Sequence, residues 1–189
     1  MTNKSLKDRL HDLPKSQEGH WGYSHVKIIE HLKKYDIKSM LEIGFNTGYS
    51  ATLFLHHLPL NEFYSLDIGL HPFVNTLHKE FSILYEGKFF STIEDSMNIR
   101  NTILNEKTYD LIFIDGCHKY EVALNDMLFS IDRAKYILLD DTAGSSPGVT
   151  KLIEFINKGS SDSLPLIGDK LRVDAVFDVP AGAILYEVL

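Results

Sequence analysis

Short apolar runs alternate with amphipathic stretches along most of the chain, and this rhythm predicts strands separated by helices. Ile28, Leu32 and Tyr35 recur at i, i+4 and i+7, and Val26 and Ile29 widen that face, so a helix is expected from about Tyr23. Met40, Leu41 and Ile43, with Glu42 among them, form a first strand, and Tyr49 to Leu58 is helix-compatible. Glu62 to Asp67 reads as a second strand. His71 to Tyr85 carries Phe73, Val74, Leu77, Phe81 and Leu84 at helical spacing, with Pro72 suited to its first turn. Lys88 to Ile93 is a third strand, followed by a short helix from Met97 to Leu104. The run YDLIFID, from Tyr109 to Asp115, is nearly all apolar, as in strands buried on both faces. A helix from Tyr120 to Ile131 leads to a fifth strand, Lys135 to Leu139, then a loop to Pro147 and a helix from Gly148 to Asn157. The rhythm changes at the end, where Leu171 to Val179 and Ala183 to Val188 flank Pro180-Ala-Gly182 as a hairpin.

Strands alternating with helices imply a parallel sheet with right-handed crossovers. The expected fold is therefore α/β: a Rossmann-like, doubly wound, mainly parallel seven-stranded sheet with a C-terminal antiparallel hairpin. Residues 1–22 read as a lead-in and 23–189 as one domain, in keeping with a chain of 189 residues. The net charge of −7 argues against a nucleic-acid or anionic-membrane partner, which calls for a basic surface. The single cysteine, Cys117, allows no internal disulfide and reads as a small semi-buried residue rather than a nucleophile. A polar N-terminus without an apolar core segment, and no run long enough to span a bilayer, make a cytoplasmic protein the expectation.

Candidate chemistry concentrates where strands end. Between the first strand and its helix lies Glu42-Ile-Gly44-Phe-Asn-Thr-Gly48, an E-x-G-x-x-x-G spacing. Glycines there let the backbone turn tightly and approach a ligand, while the helix start presents N–H groups to it. Asn46 stands where a dinucleotide fingerprint needs its second glycine, so that pattern fails. On its own the loop admits a nucleotide-like ligand or none.

Acids recur at the other strand ends: Asp67, Asp95, Asp115, Asp140 and Asp141. That edge of an open α/β sheet is where ligands bind. Asp67 either takes ribose hydroxyls or caps the helix near Pro72. Asp95 with Ser96 either meets an adenine edge or caps the helix at Met97. Asp115, Asp140 and Asp141 offer hard oxygen ligands suited to Mg²⁺, and no Cys/His spacing for zinc is present. Alternatively Asp115 contacts a ligand ammonium while Asp140 or Asp141 caps a turn. His118 is placed to act as a general base or substrate contact, or is a loop histidine without a role. Trp21 and Tyr23 either cover the ligand or pack the first helix, with packing the simpler expectation.

Taken together, LEIGFNTGYS, SLD, EDS, DLIFIDGCHKYE and ILLDDT resemble class I S-adenosylmethionine-dependent methyltransferases. Within that class the set is most similar to the O-methyltransferase branch of catechol and macrocin type. The resemblance implies that Gly44, Asn46, Thr47 and Gly48 wrap the methionine part of S-adenosyl-L-methionine, with Glu42 near its amino group. It implies Asp67 at the ribose, Asp95 and Ser96 at the adenine, and Asp115 as a further cofactor contact. Asp115, Asp140 and Asp141 fall where metal-dependent members hold a divalent ion such as Mg²⁺, and Asp115 and His118 become the catalytic pair. Cys117 replaces the acid of a DGDH-like pattern, and Asp140-Asp141-Thr142 replaces the Asp-Asn pair of catechol-type members. The function implied is metal-assisted O-methylation of a small hydroxylated acceptor, sugar- or catechol-like, with a homodimer compatible. A metal-independent methyltransferase and a non-catalytic S-adenosylmethionine-binding protein are the alternatives.

Overall fold

The computed structural model describes residues 26–158 and 167–189. The expected lead-in, with Trp21 and Tyr23, lies outside them. The described elements run α1 (Val26–Leu32), β1 (Ser39–Ile43), α2 (Tyr49–His57), β2 (Glu62–Asp67), α3 (Pro72–Leu84), β3 (Phe89–Ile93), β4 (Tyr109–Ile114), α4 (Tyr120–Arg133), β5 (Ala134–Asp140), α5 (Pro147–Lys158), β6 (Leu171–Phe177) and β7 (Ala183–Val188). The strands form one seven-stranded sheet in the order β3-β2-β1-β4-β5-β7-β6. β1 to β5 are mutually parallel, and β7 is antiparallel to both β5 and β6. The doubly wound sheet with its hairpin is thus as the sequence pattern implied. The chain order of the last two strands is reversed in space, because β7 inserts against β5 and leaves β6 at the edge.

Period-two alternation sorts the strands' side chains between two cores. Met40, Phe63, Leu111, Phe113 and Leu138 face the layer of α1, α2 and α3. Leu41, Tyr64, Ile112, Ile114, Ile137 and Leu139 face α4 and α5. The central strand β4 is buried on both faces, which is why its sequence is almost unbroken by polar residues. Glu42 is the exception in β1. It lies on the face of Met40, under α2, and is fully buried.

The short helix expected from Met97 to Leu104 is instead two 3₁₀ turns, Ser96–Asn101 and Ile103–Glu106. Thr102 separates them with an extended backbone, and its hydroxyl accepts from the Leu104 N–H at 3.2 Å, restarting the turn. The β-branched residue favours that capping geometry over helix interior. Register aligns Ile43 with Leu66 and Ile114, and Ile114 with Leu139, so the strands end at one level. The acids that follow them share one edge.

Candidate active site

The β1–α2 loop is rigid for reasons that can be read residue by residue. Gly44 has φ 98°, and a Cβ there would lie 2.1 Å from the Asp115 carbonyl oxygen, so only glycine lets the two loops touch. The Asp115 N–H donates to the Ile43 carbonyl at 2.9 Å and the Gly44 N–H to Leu66 at 2.9 Å, which locks three strand ends together. Phe45 turns inward, edge-on to Phe81 at 5.1 Å between ring centres, and Gly48 (φ 72°) leaves room for both rings. Asn46 takes a left-handed conformation (φ 46°), and Thr47 is buried beside it.

Glu42 lies beneath this loop. Ser50 Oγ, in the first turn of α2, donates to its Oε1, and its Oε2 is buried without a hydrogen-bond partner among the described residues. Burial pushes its pKa well above the usual carboxylate value, the Ser50 hydrogen bond opposes the shift, and Asp115 and Asp67 reinforce it. A half-satisfied buried carboxylate at a ligand edge is costly unless a donor arrives.

Asp67 does not cap α3, whose N-cap is His71. Its Oδ2 accepts from the Phe45 and Asn46 N–H groups at 3.0 and 2.9 Å, and its Oδ1 from the Gly69 N–H at 2.7 Å. It therefore organises the glycine loop, with lone-pair capacity left on Oδ1 for hydroxyl donors. Asp95 does cap the first 3₁₀ turn, its Oδ1 accepting from the Met97 N–H at 2.9 Å, with Ser96 half-buried beside it. Ile68, Ile93 and Met97 are exposed in the same neighbourhood.

Past β4 and β5 the structure gathers Asp115, His118 and Asp141, with one ligand atom from each within 4.8 Å of the others. His118 Nε2 lies 2.7 Å from Asp141 Oδ2 and 3.9 Å from Asp115 Oδ1, while Ser146 Oγ meets its Nδ1 at 3.3 Å. Asp115 and Asp141 together push the imidazole up to about 10, against burial, so the ring carries a proton at neutral pH. Burial raises Asp115 to about 6, reinforced by the Asp141 charge and opposed by His118. Asp141 is held at φ 58°, an uncommon conformation for a residue with a side chain. Of the three acids expected from sequence, the structure brings Asp115 and Asp141 together. Asp140 stands outside this cluster because it is the last residue of β5, buried and in register with Ala183, so successive side chains diverge. His118 stands beside the two acids instead. Cys117, expected to be semi-buried, is exposed.

Sequence reasoning missed the Ser50, Ser146 and Gly148 contributions. A Cβ on Gly148 would lie 2.1 Å from the His118 carbonyl oxygen, so the start of α5 presses directly on the loop that carries the imidazole. The only sequence signal was glycine directly after Pro147.

Against this geometry, residues 41–142 match the protein family described as "Methyltransferase domain". The chain belongs to that methyltransferase family. Solved structures agree with the fold at low identity. The methyltransferase PaMTH1 of Podospora anserina, solved bound to SAH, superposes with a TM-score of 0.67 at 15% identity, over 95% of this chain and 83% of that one. The O-methyltransferase TomG of Streptomyces achromogenes, solved in complex with SAM, gives 0.69 at 15% identity over 95% and 85%. MycE of the mycinamycin biosynthetic pathway, solved with Mg and SAH, gives 0.61 at 17% identity over 97% of this chain and 52% of that one. No curated protein sequence matches. The class I methyltransferase resemblance in LEIGFNTGYS and its companions is thus the chain's family and its fold, and the protein is an enzyme of the methyl-transferring type. No helix among the described residues is long and apolar enough to cross a membrane.

Proposed function

We propose that this methyltransferase moves the methyl group of S-adenosylmethionine to the oxygen of a small hydroxylated acceptor, sugar- or catechol-like, with help from a divalent cation such as Mg²⁺. The observation that carries the reading is the Asp115–His118–Asp141 cluster at the same sheet edge as the glycine loop. Glu42 Oε2 awaits a donor and suits the cofactor's ammonium, and Asp67 Oδ1 has capacity for ribose hydroxyls. Asp95, with one oxygen engaged by the Met97 N–H, suits the amino group of adenine beside Ser96.

The two carboxylates fit a hard divalent ion, and Asp115 and Asp141 would hold it, leaving the imidazole of His118 for the proton. When bound, such an ion lowers the pKa of a ligating hydroxyl and orients its oxygen. The chain's own part is proton handling and alignment. The attraction that keeps His118 protonated would be offset by a cation held by Asp115 and Asp141. Its Nε2 then accepts the acceptor's hydroxyl proton as the oxygen attacks the sulfonium methyl in line. Ser146 at Nδ1 fixes the ring's orientation.

A metal-independent variant of the same chemistry also has an observation behind it. Protonated His118 already bridges the two carboxylates at 2.7 and 3.9 Å and relieves their repulsion without an ion. Calorimetry of S-adenosylmethionine with and without Mg²⁺, on wild type and Asp141→Ala, separates these readings. Cofactor binding that responds to Mg²⁺ in wild type and not in the variant is expected. An identical metal response in both removes the metal site, and no cofactor binding at all removes the main reading.

A further inference from the structure

α4 carries two consecutive polar side chains for which neither the core nor the proposed chemistry has a use. Asn125 Nδ2 donates to the Ser96 carbonyl at 2.9 Å and makes a longer contact, 3.4 Å, with Asp126 Oδ1. Asp126 is fully buried, and its Oδ2 has no hydrogen-bond partner among the described residues. That oxygen lies 3.7 Å from where a Cβ on Gly116 would stand. One helix thus bonds the loop after β3 through Asn125 and Asp126, and Asp126 Oδ2 faces Gly116 in the loop after β4.

As a stability device the pair is a poor one. The Ser96 carbonyl belongs to a half-buried residue. A buried carboxylate with one oxygen unpaired costs free energy, and a well-packed apolar pair would hold the helix as firmly. The other contacts of the first 3₁₀ turn lie further along it, where Ile99 is buried in the core and Arg100 lies 5.7 Å over the Phe129 ring. Asn125 fixes the backbone of the end bearing Asp95 and Ser96, and the Ser96 side chain meets Asp126.

We infer that Asn125, braced by Asp126, is a positioning residue that sets the spacing between the β3 and β4 loops and so selects a purine bearing an exocyclic amino group. The inference rests on the adenine reading of Asp95 and Ser96 given above. The methionine end of the ligand is held at a separate place, by the Gly44–Gly48 loop that Asp67 and Phe45 organise. Freeing the Ser96 carbonyl lets the β3 turn drift, and a drift of about an ångström is enough to lose a well-aligned hydrogen bond. Discrimination at the purine falls while the rest of the ligand is gripped as before.

The test needs no acceptor. S-adenosylhomocysteine and its deaminated counterpart S-inosylhomocysteine, in which an oxygen replaces the amino group, are titrated calorimetrically into full-length wild type, Asn125→Ala and Asp126→Asn. Wild type is expected to prefer the adenosyl compound by at least about tenfold, the scale of one buried hydrogen bond to a charged group. Asn125→Ala is expected to weaken it about tenfold and leave the inosyl compound within about twofold, collapsing the preference. Asp126→Asn, nearly isosteric, is expected to move the ratio the same way by a smaller factor, and it decides alone if Asn125→Ala does not fold. A preference unchanged in the variants, or both ligands weakened by one factor, overturns the positioning role while wild-type discrimination keeps the adenine reading intact. Wild type that binds neither ligand, or both alike, overturns the adenine reading and the inference with it.

Discussion

Asp110 and Asp115 stand at opposite ends of β4, five residues apart, and the fold treats them in opposite ways. Asp110 is saturated. Its Oδ2 accepts from the Lys38 and Ser39 N–H groups at 2.8 and 3.0 Å and from Ser39 Oγ at 3.3 Å, and its Oδ1 accepts from Lys135 Nζ at 2.6 Å. Burial pushes its pKa up, but hydrogen bonds from Lys135, Lys38 and Ser39 outweigh that and hold it below the usual carboxylate value. Asp115 is raised to about 6 by burial, faces Asp141, and among the described residues has His118 to relieve it. A carboxylate whose lone pairs are filled by its own chain is a fastener. One left short among other acids is set for something the chain does not supply.

The largest way to break this contrast is at Gly44. Gly44→Ala places a Cβ 2.1 Å from the Asp115 carbonyl at φ 98°, and a loss on the order of 3 kcal/mol or more is expected, with cofactor binding abolished. Gly87→Ala, also at positive φ (73°) but with nothing within 4 Å, is expected to cost only about 1 kcal/mol. Urea unfolding of the two variants checks the difference. Asp110→Ala comes next, at about 2 kcal/mol of stability with calorimetric affinity for S-adenosylmethionine unchanged, since it strands two backbone N–H donors far from the ligand edge. Asp115→Asn should invert that outcome, with the urea midpoint held or raised and methyl transfer lost.

A further effect sharpens the comparison through pH. Burial raises Asp126 to about 6, with Ser96 and Asn125 opposing, from an ordinary value of 3.8. A raised folded pKa contributes stability that is full below 3.8 and is lost as pH rises through about 6. Asp126→Asn removes that loss, so the variant should match wild type at acid pH and exceed it by up to about 3 kcal/mol at pH 8, measured by urea unfolding. Asp110, depressed rather than raised, gives the opposite slope: its contribution is present above 3.8 and disappears as pH falls. The smallest effect belongs to Lys135→Met. That ammonium is exposed, and its loss should leave the urea midpoint within error and have its only trace in salt sensitivity.

Much of the fold was legible because the hydrophobic period is local information. Glu62–Asp67 and the hairpin strand Ala183–Val188 have the bounds the pattern implied, and YDLIFI announced a central strand by being nearly all apolar. The strand-end acids were legible for the same reason, since a carboxylate directly after an apolar run marks the sheet's ligand edge. What stayed hidden depends on contacts distant in sequence. Asp140 and Asp141 look alike in a row of letters, and only the antiparallel pairing of β7 with β5 separates them. Asp67 is an acid at the end of β2 in either case, yet its bonds to Phe45 and Asn46 arise from how the first loop folds back over β2. Asp110 resembled any polar residue entering a strand until Lys38, Ser39 and Lys135 surrounded it. Asp126 and Asn125 drew no notice because a polar pair on a helix ordinarily faces water.

The loop after β5 is tied to the hairpin turn, with the Thr142 N–H donating to Gly182 at 3.2 Å and the Ala143 N–H to Ala181 at 2.8 Å, and a Cβ on Gly182 would strike Ala143. The two halves of the edge are therefore anchored in different parts of the chain: the glycine loop to β2 and α3, and the loop of Asp141 to the last strands. Such a division lets one half drift over generations while the other is kept. A change in the turn near Gly182 therefore reaches the loop of Asp141 without passing through the glycine loop.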